Sequence, residues 1–224
     1  MIVKIKRQDT PEAASYWQSF VYEGPKHVTV SAVLDALNYT DDLFDTEGNP
    51  AKRIRWECSC MQAMCGGCAM VINGVPALAC ATFADQVKSD TLLLEPLSKF
   101  PVIADLVVDR SVIYEHLSKA KAYLEEAAAN DPKAHKQQYS VAKCLKCGLC
   151  LEVCPNYHPG GDFYGAVLAN ESYLIASQAA KKDSPVVKEY KTHFGAGCSK
   201  ALSCQSICPM EIETITSIMR MNRK

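Results

Sequence analysis

The sequence predicts an α+β protein in two domains, a small sheet-bearing domain over residues 1–104 followed by an all-α domain over residues 105–224. Three observations lead there. β-branched and aromatic residues crowd short runs near the start of the chain. Apolar residues at helical spacing dominate from about Asp105 onward. Between them, Cys80 and Cys144 are separated by 63 residues without a cysteine. At 224 residues the chain could form one large domain or two small ones, and this gap favours two.

Met1 to Lys6 and Tyr16 to Tyr22 read as two strands of a hairpin whose loop carries Pro11. Val30, Val33, Leu34 and Leu37 then recur at helical spacing behind Thr29, a residue type that caps helix N-termini, so a helix should pack on the hairpin. Cys68 to Ile72 and Thr91 to Glu95 read as further strands. Strand, strand, helix, cysteine loop and more strands is the order of a small β-grasp domain. In the second half, Ile113, Leu117, Ala120 and Leu124 mark one apolar face of a helix. Helices are also expected at roughly Asp162 to Lys181, at Pro185 to His193 and at Glu211 to Met221. The polar segment Glu125 to Gln138, containing Pro132, is expected to be an exposed bend between helices.

The formal net charge is -1, from 24 Lys and Arg against 25 Asp and Glu, which gives no electrostatic reason to expect a nucleic acid or an anionic membrane as partner. The opening MIVKIKRQDT lacks the apolar core of a secretion signal, and no run approaches the roughly 18 to 20 apolar residues of a membrane span. Membrane association is therefore expected to come through partners. Twelve cysteines admit a disulfide framework, zinc sites or iron-sulfur clusters. Disulfides are disfavoured in a chain of this length without a secretion signal, so reduced, metal-bound thiols are expected.

Cys60-x4-Cys65-x2-Cys68 followed by Cys80 matches the plant-type ferredoxin pattern, in which four thiolates hold a 2Fe-2S cluster. In the loop Cys65-Gly66-Gly67-Cys68, residues without Cβ would let backbone N–H groups approach the cluster sulfides. Zinc would more naturally use two separated Cys-x2-Cys knuckles. Cys58 breaks the register of the pattern and is expected to be an ordinary buried thiol.

The run Cys144-Leu-Lys-Cys147-Gly-Leu-Cys150-Leu-Glu-Val-Cys154-Pro155 is the bacterial ferredoxin frame, whose fourth cysteine reaches across to a second cluster. Its partner is Cys198-Ser-Lys-Ala201-Leu-Ser-Cys204-Gln-Ser-Ile-Cys208-Pro209, with alanine in place of the second cysteine. Crossing the fourth cysteines assigns Cys144, Cys147, Cys150 and Cys208 to a 4Fe-4S cluster, and Cys154, Cys198 and Cys204 to the other. Ala201 offers no donor atom, so a 3Fe-4S cluster is expected there, with aspartate or water as an alternative fourth ligand that would keep 4Fe-4S. All eleven of these cysteines would bind iron.

A plant-type 2Fe-2S domain followed by an alpha-helical ferredoxin domain with one missing cysteine resembles the iron-sulfur subunit of the succinate dehydrogenase and fumarate reductase family, respiratory complex II. Val33 to Asn38, Leu78-Ala79-Cys80 and Phe100 to Asp109 resemble it as well. The resemblance implies electron transfer between FAD on a separate flavoprotein subunit and a quinone at a membrane anchor, with haem on that anchor left open. It places the chain peripherally at the cytoplasmic face of the inner membrane, in the tricarboxylic acid cycle or in anaerobic respiration. The succinate or fumarate site would lie on the flavoprotein, so no catalytic residue is expected here. Asp85 and the five histidines are read as ordinary surface or core residues.

Some enterobacterial succinate dehydrogenases have aspartate at the position of Cys68, and cysteine there does not set the direction of the reaction. Where many members place a tryptophan to touch quinone, this chain has Cys154-Pro-Asn-Tyr-His-Pro159. Tyr157, His158, Ser199 and Lys200 are then candidates by proximity to the 3Fe-4S ligands. The alternative is the iron-sulfur subunit of another flavoprotein oxidoreductase, such as a thiol-linked fumarate reductase. Those relatives often keep both cysteine runs complete, so Ala201 argues against it. A zinc-stabilised module without redox function remains the reading from a different class, and it predicts a protein without iron or acid-labile sulfide.

Overall fold

Val3, Ile5 and Arg7 are buried while Ile2, Lys4 and Lys6 between them are not, which gives the first strand one inward face. A computed structural model describes residues 1–87, 89–129, 131–180 and 184–223. In it the chain divides into two compact units, Met1–Asp109 and Arg110–Lys224.

In the first unit, β1 (Ile2–Arg7) pairs antiparallel with β2 (Tyr16–Val21) and parallel with β5 (Thr91–Glu95). β3 (Ala69–Ile72) pairs with β4 (Val75–Leu78) and with β5, completing a five-stranded sheet in the order β2-β1-β5-β3-β4. The helix α1 (Val30–Asn38) begins at Thr29, whose Oγ1 accepts from the Ala32 N–H at 3.3 Å. Val30, Val33 and Leu34 are fully buried. α1 lies against the 3-10 turn Ala79–Ala81, which carries Cys80.

Two features of this unit were not anticipated. Asn73-Gly74 takes left-handed backbone at both positions, φ +46° and +80°, and so turns β3 directly into β4. The second is a hairpin of β6 (Val102–Ala104) and β7 (Val107–Val108), turning at Asp105 with φ +48°. Asp105 is fully buried and accepts from Arg7 Nε at 3.0 Å, Arg7 Nη2 at 3.2 Å, and the N–H groups of Gln8 and Arg55. Arg7 is equally buried and donates onward to Gln18 and to the Lys52 and Arg53 carbonyls. Removing one partner of a satisfied buried pair costs about 3–5 kcal/mol, so this network ties the turn at Asp105 to β1 within the first unit.

The second unit is helical: α2 (Ser111–Lys119), α3 (His135–Ala142), α4 (Leu149–Glu152), α5 (Gly165–Gln178), α6 (Pro185–His193), α7 (Ser203–Ser206) and α8 (Thr214–Met221). α5 runs through its middle, flanked by α2, α3, α4, α6 and α8, and every residue from Gly165 to Tyr173 is buried. Pro185 opens α6, where a missing N–H costs nothing.

Three expectations need correction. α2 stops at Lys119 because Lys121 turns left-handed at φ +51°, which leaves Leu124 outside the helix. His135 to Gln138 form the first turn of α3 rather than part of a bend, and buried Gln137 donates to Ser217 Oγ of α8 at 3.2 Å. The last helix starts at Thr214, since Glu211 has φ +52°. Lys181, the expected end of the helix from Asp162, lies outside the described residues. Among the described residues no helix is long and apolar enough to cross a membrane.

Candidate iron-sulfur sites

Cys60, Cys65 and Cys68 sit on one loop, and Cys80 follows the β3–β4 hairpin. That hairpin is what returns the chain: Ala69 pairs with Leu78, the Ala79 N–H donates to the Cys68 carbonyl at 3.0 Å, and the Cys68 and Cys80 sulfurs end 3.3 Å apart. Met61, Ala63 and Gly66 all take left-handed backbone, at φ +54°, +60° and +79°. This coils the loop and turns its amides inward. The Gln62 and Met64 N–H groups donate to Cys60 Sγ at 3.4 and 3.2 Å, and the Ala63 N–H donates to Cys80 Sγ at 3.2 Å.

Those amides stabilise thiolate charge. The N–H groups of Gln62 and Met64 draw the Cys60 thiol down to about 7. Burial pushes Cys68 the other way, up to about 12. Of the two glycines, Gly66 is needed for its positive φ, whereas a Cβ at Gly67 would make only ordinary contacts, 3.7 Å to Cys65 Sγ and 3.8 Å to Glu57 Cβ. The expectation that Cys58 is a buried thiol fails, because it lies on an exposed stretch of the loop.

In the second unit both cysteine runs adopt one backbone path. Two residues after the first cysteine the chain turns left-handed, at Lys146 (φ +51°) and at Lys200 (φ +60°). It does so again two residues later, at Gly148 (φ +88°) and Leu202 (φ +58°), which cap α4 and α7. Cys150 and Cys204 lie inside these short helices, and Cys154-Pro155 and Cys208-Pro209 follow their ends. α4 and α7 pack together, with Ser203 Oγ donating to the Val153 carbonyl at 3.3 Å.

Cys144, Cys147, Cys150 and Cys208 line one cavity, which Lys146 and Asn170 also reach. Burial, reinforced by Cys144 and Cys208, pushes the Cys147 thiol up to about 11. Cys150 is pushed well above its ordinary value by burial and then by the neighbouring thiols. Burial, followed by Cys154 and Cys198, raises Cys204 to about 11. Cys204 also lines the first cavity, so it stands between the two groups of thiols. Cys147 is buried and Cys144, Cys150, Cys204 and Cys208 are partly buried; thiols that raise one another's pKa in this way resist ionisation unless a cation shares them, and such a donor set fits iron-sulfur clusters. Among the described residues no disulfide forms and no three His, Cys, Asp or Glu converge as ligands of a single metal ion.

Polar neighbours of the first cavity were missed in the sequence. Lys146 Nζ donates to Glu171 Oε1 at 2.5 Å and to the Cys144 carbonyl at 3.4 Å. Burial works against its charge, and the Glu171 carboxylate outweighs burial, so its pKa is raised overall. Asn170 is 4 % exposed; its Nδ2 donates to Thr214 Oγ1 at 3.1 Å, and its Oδ1 has no partner among the described residues. The adjacent polar pair Asn170-Glu171, directly after the apolar run Ala166 to Ala169, was the available signal.

Of the proposed quinone contacts, Tyr157 is fully buried, while His158, Ser199 and Lys200 are exposed. Ser199 Oγ donates to Asn156 Oδ1 at 2.6 Å. Asp85 pairs with exposed His27 at 2.9 Å, and buried His116 stacks on Tyr164, which stacks in turn on His193.

A mixed sheet with one cysteine loop, and a helical unit with two matched cysteine runs, define an iron-sulfur electron-transfer protein. A family model for a 2Fe-2S iron-sulfur cluster binding domain matches residues 2–115, and one for a 4Fe-4S dicluster domain matches residues 140–212. The succinate dehydrogenase iron-sulfur subunit of Bacillus subtilis (strain 168) is 30% identical, over 98% of this chain and 90% of its own length. The fumarate reductase iron-sulfur subunit of Escherichia coli O6:H1 is 29% identical, over 94% and 87%. A structure described as the Mycobacterium smegmatis Sdh1 complex in the apo form shares the fold, with a TM-score of 0.77 at 22% identity over 100% of this chain and 96% of the other. The chain belongs to the family of iron-sulfur subunits of succinate dehydrogenases and fumarate reductases. It is an electron-transfer subunit of an oxidoreductase, and its cofactors are 2Fe-2S, 4Fe-4S and 3Fe-4S clusters.

Proposed function

We propose that this chain relays electrons between the FAD of a flavoprotein subunit and a quinone at a membrane anchor, bound peripherally at the cytoplasmic face of the membrane. Cys60, Cys65, Cys68 and Cys80 hold the 2Fe-2S cluster, Cys144, Cys147, Cys150 and Cys208 the 4Fe-4S cluster, and Cys154, Cys198 and Cys204 the 3Fe-4S cluster. When bound, these clusters supply one-electron carriers at graded potentials, and fewer thiolates at the third give it the higher one. The residues fix positions and screen charge. Inward amides of the Met61–Met64 coil receive negative charge at the first site, and burial by α5 keeps water from the second.

The observation that most supports this reading is the matched backbone of the two runs, with Cys147 at a buried position in one and Ala201 at an exposed position in the other. The domains expected at 1–104 and 105–224 would then hold one cluster and two clusters. The test isolates the chain with its natural partners and assays succinate oxidation and fumarate reduction with high- and low-potential quinones. Activity in neither direction, with clusters intact, would refute the reading.

A further inference from the structure

Among the described residues that line the cysteine cavity, Lys146 is the one Lys, Arg, Asp or Glu, and its counter-ion stands outside the lining; Arg110, also outside the lining, donates from Nη1 to the Cys147 carbonyl at 3.5 Å and is left unchanged in every variant below. Its ammonium is held by two acceptors, Glu171 Oε1 at 2.5 Å and the Cys144 carbonyl at 3.4 Å, and only 21% of the side chain is exposed. Glu171 lies on buried α5, its side chain 11% exposed, and is not among the residues that line the cavity. The pair is therefore a fixed dipole with its positive end toward the cavity. Lys200 occupies the same left-handed backbone position in the second run and is exposed, so solvent screens its charge.

We propose that Lys146, held in place by Glu171, is a positioning residue that makes the 4Fe-4S centre easier to reduce. The inference rests on the assignment of Cys144, Cys147, Cys150 and Cys208 to that centre. One electron from the donor adds one negative charge at the site, and no bond or proton changes place. A buried cation at the cavity wall favours the more negative state, because charge interactions weaken less with distance away from water. Glu171 opposes it from farther away. The two residues must then act in opposite directions, which a merely structural role would not produce.

The test is a redox titration followed by electron paramagnetic resonance on the full chain, purified anaerobically with its partner subunits, in wild type, K146M, E171Q and the double variant. The expected order of 4Fe-4S midpoint potentials is E171Q highest, then wild type, then the double variant, with K146M lowest. The step from wild type to K146M should be on the order of tenfold in the reduction equilibrium, about 59 mV for one electron. The 2Fe-2S and 3Fe-4S potentials should stay in place. A 4Fe-4S signal with unchanged potential in K146M, or a fall in both single variants, overturns the inference alone. Absence of that signal from wild type overturns the ligand assignment and the inference with it.

Discussion

Residues 144–155 and 198–209 follow the same path with different chemistry. Each turns left-handed twice, enters a four-residue helix and ends at Cys-Pro. The first run caps its helix with Gly148, which takes a positive φ without strain, and the second uses Leu202, which does not. Cys147 is buried, and its counterpart Ala201 is exposed. The shape of the loop is thus set by the turns and the packing of α4 on α7, independently of a cysteine at the second position. A run so built can lose one ligand and keep its fold, which is how one cluster site could differ from its neighbour.

The largest way to break this comparison is to remove one thiol from each set. C150S should lose about four irons per chain and C204S about three, out of about nine in wild type, measured as iron and acid-labile sulfide. Equal losses would contradict the assignment of four irons to the centre that holds Cys150 and three to the centre that holds Cys204. Next in size, A201C should gain about one iron and replace the 3Fe-4S signal with a 4Fe-4S signal of lower potential. A smaller effect separates the caps: G148A should destabilise and L202G stabilise, each by about 1 kcal/mol. In a chain of this size that is a shift of about 2–4 °C in the melting midpoint, scanned at one rate with clusters bound. Shifts of the same sign would show that the two turns are not equivalent. Smallest is S199A, which removes the exposed bond to Asn156 and should cost less than about 1 kcal/mol while leaving the iron content unchanged.

The sequence made most of the architecture legible where one local signal dominated. Thr29 ahead of Val30, Val33 and Leu34 announced α1, and Pro185 announced α6, because caps and periodicity act within a few residues. Asn73-Gly74 carried a hairpin signal of the same local kind, and it went unread. The hairpin at Asp105 was harder, since its cause is Arg7, far away in the chain. Likewise α3 looked like a polar bend because Gln137 finds its partner on α8. The cysteine spacing pointed to the eleven thiols, but not to Lys146 and Glu171, which only the folded helix α5 brings together. Cys58 misled because free cysteines are usually buried, and its exposed loop position is invisible in spacing alone.

The central claim is that Ala201 leaves Cys154, Cys198 and Cys204 with three irons. Electron paramagnetic resonance of the oxidised wild-type complex, with spin quantitation, tests it most directly. The account predicts one 3Fe-4S signal per chain that vanishes in both C204S and A201C. Its absence from intact wild-type protein, or its persistence in C204S, would contradict the account.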